Sequence, residues 1–107
     1  MSKPSGNGSG GLYQVTYSVV VRAALKKLVE HAKEVGILTE VFAAIKEING
    51  RLHTDPIVFG EPLRELKSVK GQIRIAIVSP LAVEFAVHEL DRKVLVAKPL
   101  TLLSGPT

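Results

Sequence analysis

The patterned part of the chain opens with a strict alternation of apolar and polar residues. Tyr13, Val15 and Tyr17 occupy one phase, and polar residues occupy the positions that follow each of them. Side chains two residues apart share a face of an extended strand. The alternation therefore predicts a half-buried strand that begins at Tyr13.

Two segments then repeat apolar residues at the helical period. The first, residues 23–35, is followed by Gly36, a residue that commonly ends helices. The second follows Thr39, a plausible N-cap, and ends at Asp55-Pro56. The buried stripes are predicted to be Leu25, Leu28, Val29, Ala32 and Val35, then Val41, Phe42, Ile45, Ile48 and Leu52. Because the connection is short, the two segments are expected to form an antiparallel helical hairpin.

The second half of the chain has the pattern of a β-sheet. Residues 57–71 contain Gly60, Pro62 and Gly71, which predicts an extended loop with turns. Three strands are predicted at about 72–79, 82–88 and 93–98. The expected fold class is α+β, with an N-terminal strand, an antiparallel helical hairpin and then a three-stranded antiparallel sheet.

The first hairpin of that sheet allows a prediction of register. If Ile73, Ile75 and Ile77 share the core face with Phe85 and its apolar neighbours, the connecting loop has three residues, 79–81.

Arg74, Glu84 and His88 would then cluster on the uncovered face of the sheet. Two interpretations of this cluster stay open. One is a solvated polar patch with a salt bridge that contributes about 0–1 kcal/mol. The other is a site for RNA or a protein partner.

Composition limits the classes of protein that fit. The chain has 107 residues and no cysteine, which favours one domain in a reduced cytoplasm. Residues 1–11 are poor in apolar side chains and are expected to be a disordered tail, before a domain at 12–107. No apolar run reaches the ~20 residues of a membrane helix. The net charge of +4 suits an acidic partner.

Motifs for metal or nucleotide chemistry are missing from the sequence. The three histidines lie far apart and have no carboxylate at a metal-ligand spacing, so neither a metal site nor a cofactor is predicted. Gly60 and Gly71 lack the Lys-Ser/Thr pair of a phosphate-binding loop. Few aromatic residues are free of the predicted core, which disfavours a stacking platform for single strands.

One family resemblance rests on the order of these elements and on a basic segment. The run from Phe59 to Lys67 leads into a strand that carries Arg74, after a strand and two helices. Residues 52–56 and 82–88 add looser similarities. Over residues 13 to about 98 the chain resembles the RelE/ParE superfamily of type II toxin-antitoxin toxins, also described as plasmid stabilisation proteins. The matching positions of the basic segment are Leu63, Arg64, Leu66, Lys67, Lys70 and Arg74.

The resemblance implies a metal-independent endoribonuclease that cuts messenger RNA on the ribosome. Lys67 and Arg74 would then be catalytic, because basic side chains stabilise the negative charge that develops on the phosphate. The residues expected to bind RNA or a partner are Arg64, Lys70, Glu84, His88 and Lys98. One departure concerns the C-terminal segment, where such toxins commonly carry an aromatic residue or histidine and this chain has none after His88.

The resemblance also implies partners. An acidic antitoxin is expected, with the ribosome and mRNA as further partners of a nuclease. ParE-type members act on DNA gyrase and need no nuclease site. A third alternative is a non-toxic relative that binds only an antitoxin.

Overall fold

The computed structural model of the chain describes residues 12–66 and 71–103, and at residues 64–66 it describes the main chain. One strand and three helices come first, and the later part is built from strands. The elements are β1 (Gln14–Tyr17), α1 (Val19–Glu34), α2 (Leu38–Thr54), α3 (Pro56–Phe59), β2 (Glu61–Leu66), β3 (Gly71–Val78), β4 (Leu81–His88), β5 (Lys93–Val96) and β6 (Thr101–Leu102).

All strands of the described residues join one six-stranded sheet, in the order β1-β5-β4-β3-β2, with β6 paired to β4. The fold is mixed α+β, as the sequence predicts, but the expected strand count is wrong. β1 lies parallel to β5, and the other pairings are antiparallel. β2 and α3 occupy part of the segment predicted as a loop. A parallel partner for β1 is possible because the helices provide a long crossover.

The two long helices begin earlier than the hydrophobic period indicates. The Ser18 hydroxyl accepts a hydrogen bond from the Val21 amide at 3.2 Å and caps α1. Gly36 has φ of 81°, which favours glycine and ends the helical run. Thr39 lies inside α2 and does not cap it, since the N-cap is Ile37 without a side-chain hydrogen bond.

The core lies between the helices and one face of the sheet. Its β-sheet side includes Val83, Phe85 and Val87, the face of β4 that the alternation predicts. The helical side is contributed by Val21, Ala32, Val41, Ala44, Ile48 and Leu52. Val35 and Phe42, which the helical period assigns to the buried stripes, are each 52% exposed.

The predicted register of the β3–β4 hairpin is wrong by one residue. Val78 pairs with Leu81, so the connecting loop has two residues, Ser79 and Pro80. A shift of one residue moves every side chain of a strand to the other face of the sheet. Ile73, Ile75 and Ile77 therefore lie on the face of the sheet that points away from the helices. The residues of β3 between them face the core.

Arg74 is the polar residue that this register takes into the core. It pairs with Phe85 and is only 8% exposed. Its Nη2 donates to the carbonyl oxygens of Ile57 at 2.8 Å and Gly60 at 2.7 Å, and its Nε also donates to Gly60. Its Nη1 donates to the Gln72 side chain. These bonds satisfy carbonyls at the C-terminal end of α3, where the helix itself supplies no donor.

Gly60 is required by the same packing. A Cβ at this position would lie 2.6 Å from Phe85 Cζ and 3.1 Å from Arg74 Cβ. We expect Gly60→Ala to lower the free energy of unfolding by about 1–3 kcal/mol, because the core is overpacked. Gly50 in α2 is the matched control, since its Cβ would meet nothing within 4 Å. Gly50→Ala should raise stability by about 0.5–1 kcal/mol. Urea denaturation measures the free energy of unfolding of both variants. Equal changes in this free energy for Gly60→Ala and Gly50→Ala would contradict the close packing around Gly60.

Arg74→Ala tests the structural role of the guanidinium. We expect a loss of about 2–3 kcal/mol in the free energy of unfolding, because buried carbonyls lose charged donors. The exposed Arg22 provides a control, and Arg22→Ala should change stability by no more than about 0.5 kcal/mol. If Arg74→Ala unfolds on heating at the same midpoint temperature as the wild type, this structural role is wrong.

Candidate functional site on the open face of the sheet

The face of the sheet that points away from the helices is called the open face here. Cross-strand pairing defines it, because directly paired residues share a face. Its members on the central strands are Ile73, Ile75, Ile77, Ala82, Glu84, Ala86 and His88, with Leu95 and Lys93 on β5 and Thr16 on β1. Ile77 is 66% exposed and Leu95 is 44% exposed. The face therefore combines an apolar row with a small set of polar side chains.

The predicted site residues divide between the two faces. Glu84 and His88 lie on the open face, as expected. Arg74 does not join them, because the register places it in the core. The predicted cluster of these three residues is therefore wrong, and the hydrogen bonds of the guanidinium give Arg74 a role in the fold.

The rest of the predicted basic set is described only in part. Lys98 forms a salt bridge with Glu84, with 3.3 Å between Nζ and Oε2. Arg64 pairs with Ile73 through the main chain in β2. Lys67 and Lys70 lie outside the described residues, so their assignment stays a prediction.

A depression of about 310 Å³ lies at one end of the open face. Its polar lining includes His88, Lys93 and Thr16, and its other walls include Ala86, Leu95 and Gly71. His88 and Lys93 are direct partners across β4 and β5. His88 and Lys93 thus both contribute to the wall of the same concavity.

Lys93 is the member of this site that the sequence prediction missed. The β4–β5 connection, residues 89–92, sets the pairing of His88 with Lys93. A four-residue connection pairs the last residue of β4 with the first residue of β5. The sequence could have predicted this pairing only if the ends of both strands had been known. Strand ends are the least certain part of a prediction from periodicity.

The imidazole of His88 is held by the turn that follows it. Its Nδ1 lies 3.3 Å from the Asp91 amide nitrogen and 3.3 Å from the Asp91 carboxylate Oδ2. The amide can only donate, so the neutral ring accepts through Nδ1 and carries its hydrogen on Nε2. In the protonated ring Nδ1–H can instead donate to the carboxylate. Asp91 therefore has a partner atom for either protonation state of His88.

The arrangement is suited to proton transfer beside an anion. Imidazole is the side chain best suited to accept and donate protons near neutral pH. The Asp91 carboxylate lies 3.3 Å from Nδ1 and can orient the ring. Lys93 lines the same depression, and its positive charge would stabilise a phosphate oxygen bound there.

Neither a membrane span nor a metal cluster is found in the described ranges, 12–66 and 71–103. No helix there is both long and apolar enough to cross a bilayer. No group of three or more His, Cys, Asp or Glu side chains there is placed to hold a metal ion. Comparison of the chain with protein-family models, curated proteins and solved structures finds no match.

The histidine tautomers test the geometry around His88. His53 is the matched control, because its Nδ1 lies 2.8 Å from the Asn49 carbonyl oxygen, which can only accept. We expect the neutral ring of His88 to carry hydrogen on Nε2 and that of His53 to carry it on Nδ1. Long-range ¹H–¹⁵N correlation spectra distinguish the two forms. The Nδ1–H form at neutral His88 would show that the turn does not hold the ring as described.

Proposed function

We propose that this protein is the toxin of a type II toxin-antitoxin system, similar to RelE, which blocks translation in the cytoplasm by ribosome-dependent cleavage of mRNA. The observation that carries this proposal is the pairing of His88 and Lys93 in the depression on the open face. A proton-transfer group beside a cation is what metal-independent RNA cleavage requires.

In the proposed reaction the ribose 2′-hydroxyl attacks the adjacent phosphorus atom. A 2′-oxygen–phosphorus bond forms, and the bond from phosphorus to the 5′-oxygen breaks. The protonated His88 imidazole delivers the hydrogen of Nε2 to the leaving 5′-oxygen. Water accepts the proton of the 2′-hydroxyl, because the lone pair of the neutral ring lies on Nδ1 and is engaged by the Asp91 amide. Lys93 stabilises the extra negative charge on the phosphate oxygens.

This site differs from the one that the family resemblance implies. The catalytic role given to Arg74 is replaced by a positioning role in the core, because its donors are occupied by the Ile57, Gly60 and Gln72 oxygens. Lys67 keeps its predicted role at the phosphate. Glu84 and Lys98 pair with each other and form a polar border of the open face.

The proposed partners are an acidic antitoxin, the ribosome and mRNA. The net charge of +4 favours association with acidic surfaces and with RNA. The antitoxin is expected to cover the open face, since this face combines the proposed catalytic groups with an apolar row in which Ile77 is exposed and Ile73 and Ile75 are half-buried.

The apolar row itself favours a second candidate function. Ile73, Ile75 and Ile77 form an apolar patch on the open face of the sheet. Apolar patches on a protein surface commonly mark interfaces with other proteins. A ParE-like protein that binds gyrase, or a non-toxic relative that binds only an antitoxin, would use this face without RNA chemistry.

Cleavage by purified protein tests the proposal. We expect mRNA on 70S ribosomes to be cut, with cut sites mapped by primer extension. His88→Gln should lower the cleavage rate by about 10²–10⁴-fold and Lys93→Met by about 10²–10³-fold, because each removes a group acting in the transition state. His31→Gln and Lys27→Met on the exposed side of α1 are matched controls that should cleave normally.

Induction in bacteria separates the candidate functions. An early fall in methionine incorporation supports the nuclease. Growth arrest with translation initially intact indicates a gyrase-type target, and normal growth with confirmed expression indicates a non-toxic relative. Full cleavage by both His88→Gln and Lys93→Met would overturn the assignment of this site.

A further inference from the structure

A second concavity, of about 250 Å³, lies on the helical side of the molecule. It opens between β1, α1, α2 and the segment before β6. Apolar side chains form most of its wall, and three polar residues complete it. The lining consists of Leu25, Ile45, Ile48 and Leu100, with Tyr17, Lys46 and Asn49. A cavity with apolar walls and a few converging polar groups is the usual form of a small-molecule site.

Tyr17 determines how the Asn49 amide is oriented. Burial raises the pKa of the Tyr17 hydroxyl above its ordinary value, so this group stays protonated at neutral pH. Its hydroxyl donates to Asn49 Oδ1 at 2.8 Å. The Asn49 side-chain oxygen therefore already accepts a hydrogen bond from Tyr17. The Asn49 Nδ2 has no acceptor among the described residues. Asn49 thus offers two N–H donors at the cavity.

Lys46 adds a third group that can only donate. It lies one helical turn before Asn49 on α2, so both side chains project from one side of the helix. Its ammonium forms no salt bridge with any carboxylate in the described ranges. Lys46 and Asn49 therefore both line the cavity, and neither the Lys46 ammonium nor the Asn49 amide nitrogen has a protein acceptor among the described residues. A carboxylate, which only accepts, complements this pair.

We propose that this cavity binds a small amphipathic monocarboxylate. Its aliphatic chain packs against Leu25, Ile45 and Leu100, and its carboxylate receives hydrogen bonds from Lys46 and Asn49. The volume lies just below the range of ~300–1,000 Å³ of typical ligand pockets, which limits the ligand to a short chain. The site is separate from the open face and does not depend on RNA cleavage.

Hexanoate is the probe for this site, with hexanol and hexylamine as matched compounds of the same chain length. The full chain is labelled at its Leu and Ile methyl groups and titrated by NMR. We expect hexanoate to cause saturable shifts at Leu25, Ile45, Ile48 and Leu100. Hexanol should bind about two- to fivefold more weakly, as expected for loss of an exposed ion pair. Hexylamine should cause no saturable shift at these methyl groups.

Two variants assign the donors. Lys46→Met should weaken hexanoate binding about two- to fivefold and leave hexanol binding unchanged. Asn49→Asp keeps an acceptor for Tyr17 but replaces the donor by a negative charge, and should abolish detectable hexanoate binding. Lys33→Met on α1, remote from the lining, should bind like the wild type.

Three outcomes would overturn the proposal. They are the absence of saturable shifts up to the solubility limit of hexanoate, shifts confined to other methyl groups, and equal affinity for hexanoate and hexylamine. Unchanged methyl spectra of the free variants establish that each one folds. A variant that loses hexanoate binding but keeps RNA cleavage, or loses cleavage but keeps binding, would show that the two sites function independently.

Discussion

The hydrogen bonds of a single buried guanidinium determine how the second half of this protein is assembled. Arg74 on β3 donates hydrogen bonds to the carbonyl oxygens of Ile57 and Gly60, at the point where the chain leaves the helices and enters the sheet. A buried arginine without such acceptors would be strongly destabilising. The end of α3 supplies those acceptors, and the absence of a side chain at Gly60 lets Phe85 and Arg74 approach it. The interaction therefore also determines which face of β3 is buried.

The character of the open face follows from this choice. Once Arg74 enters the core, the three alternate isoleucines of β3 must lie on the other face, since strand side chains alternate. The sheet consequently presents an apolar row beside His88, Lys93 and the Glu84–Lys98 pair. A surface of this composition suits a protein that is covered by a partner at some times and bound to a charged target at others. That combination is what the proposed toxin-antitoxin function needs.

The two concavities differ in the chemistry of their polar groups. The depression on the open face is lined by His88, whose Nδ1 is engaged by Asp91, so Nε2 is the ring nitrogen that can donate a proton to a bound group. The cavity beside α2 is lined by Asn49, whose amide oxygen accepts a hydrogen bond from the Tyr17 hydroxyl, so the amide nitrogen is left to donate to a ligand. The first is therefore suited to a reaction and the second to recognition. The sheet separates them, which allows each to be altered without the other.

The sequence by itself determined the local elements. Helical periodicity located the hairpin with Gly36 as its break, and alternation located β1, the core face of β4 and the three later strands. Tertiary structure alone decided the register of β3, because the face with the isoleucines and the face with Ala76 and Val78 both carry apolar residues, and either loop length fits the pattern. It also decided that β2 pairs with β3 and that Lys93 meets His88. These outcomes depend on acceptors and partners far apart in the chain, which local periodicity does not encode.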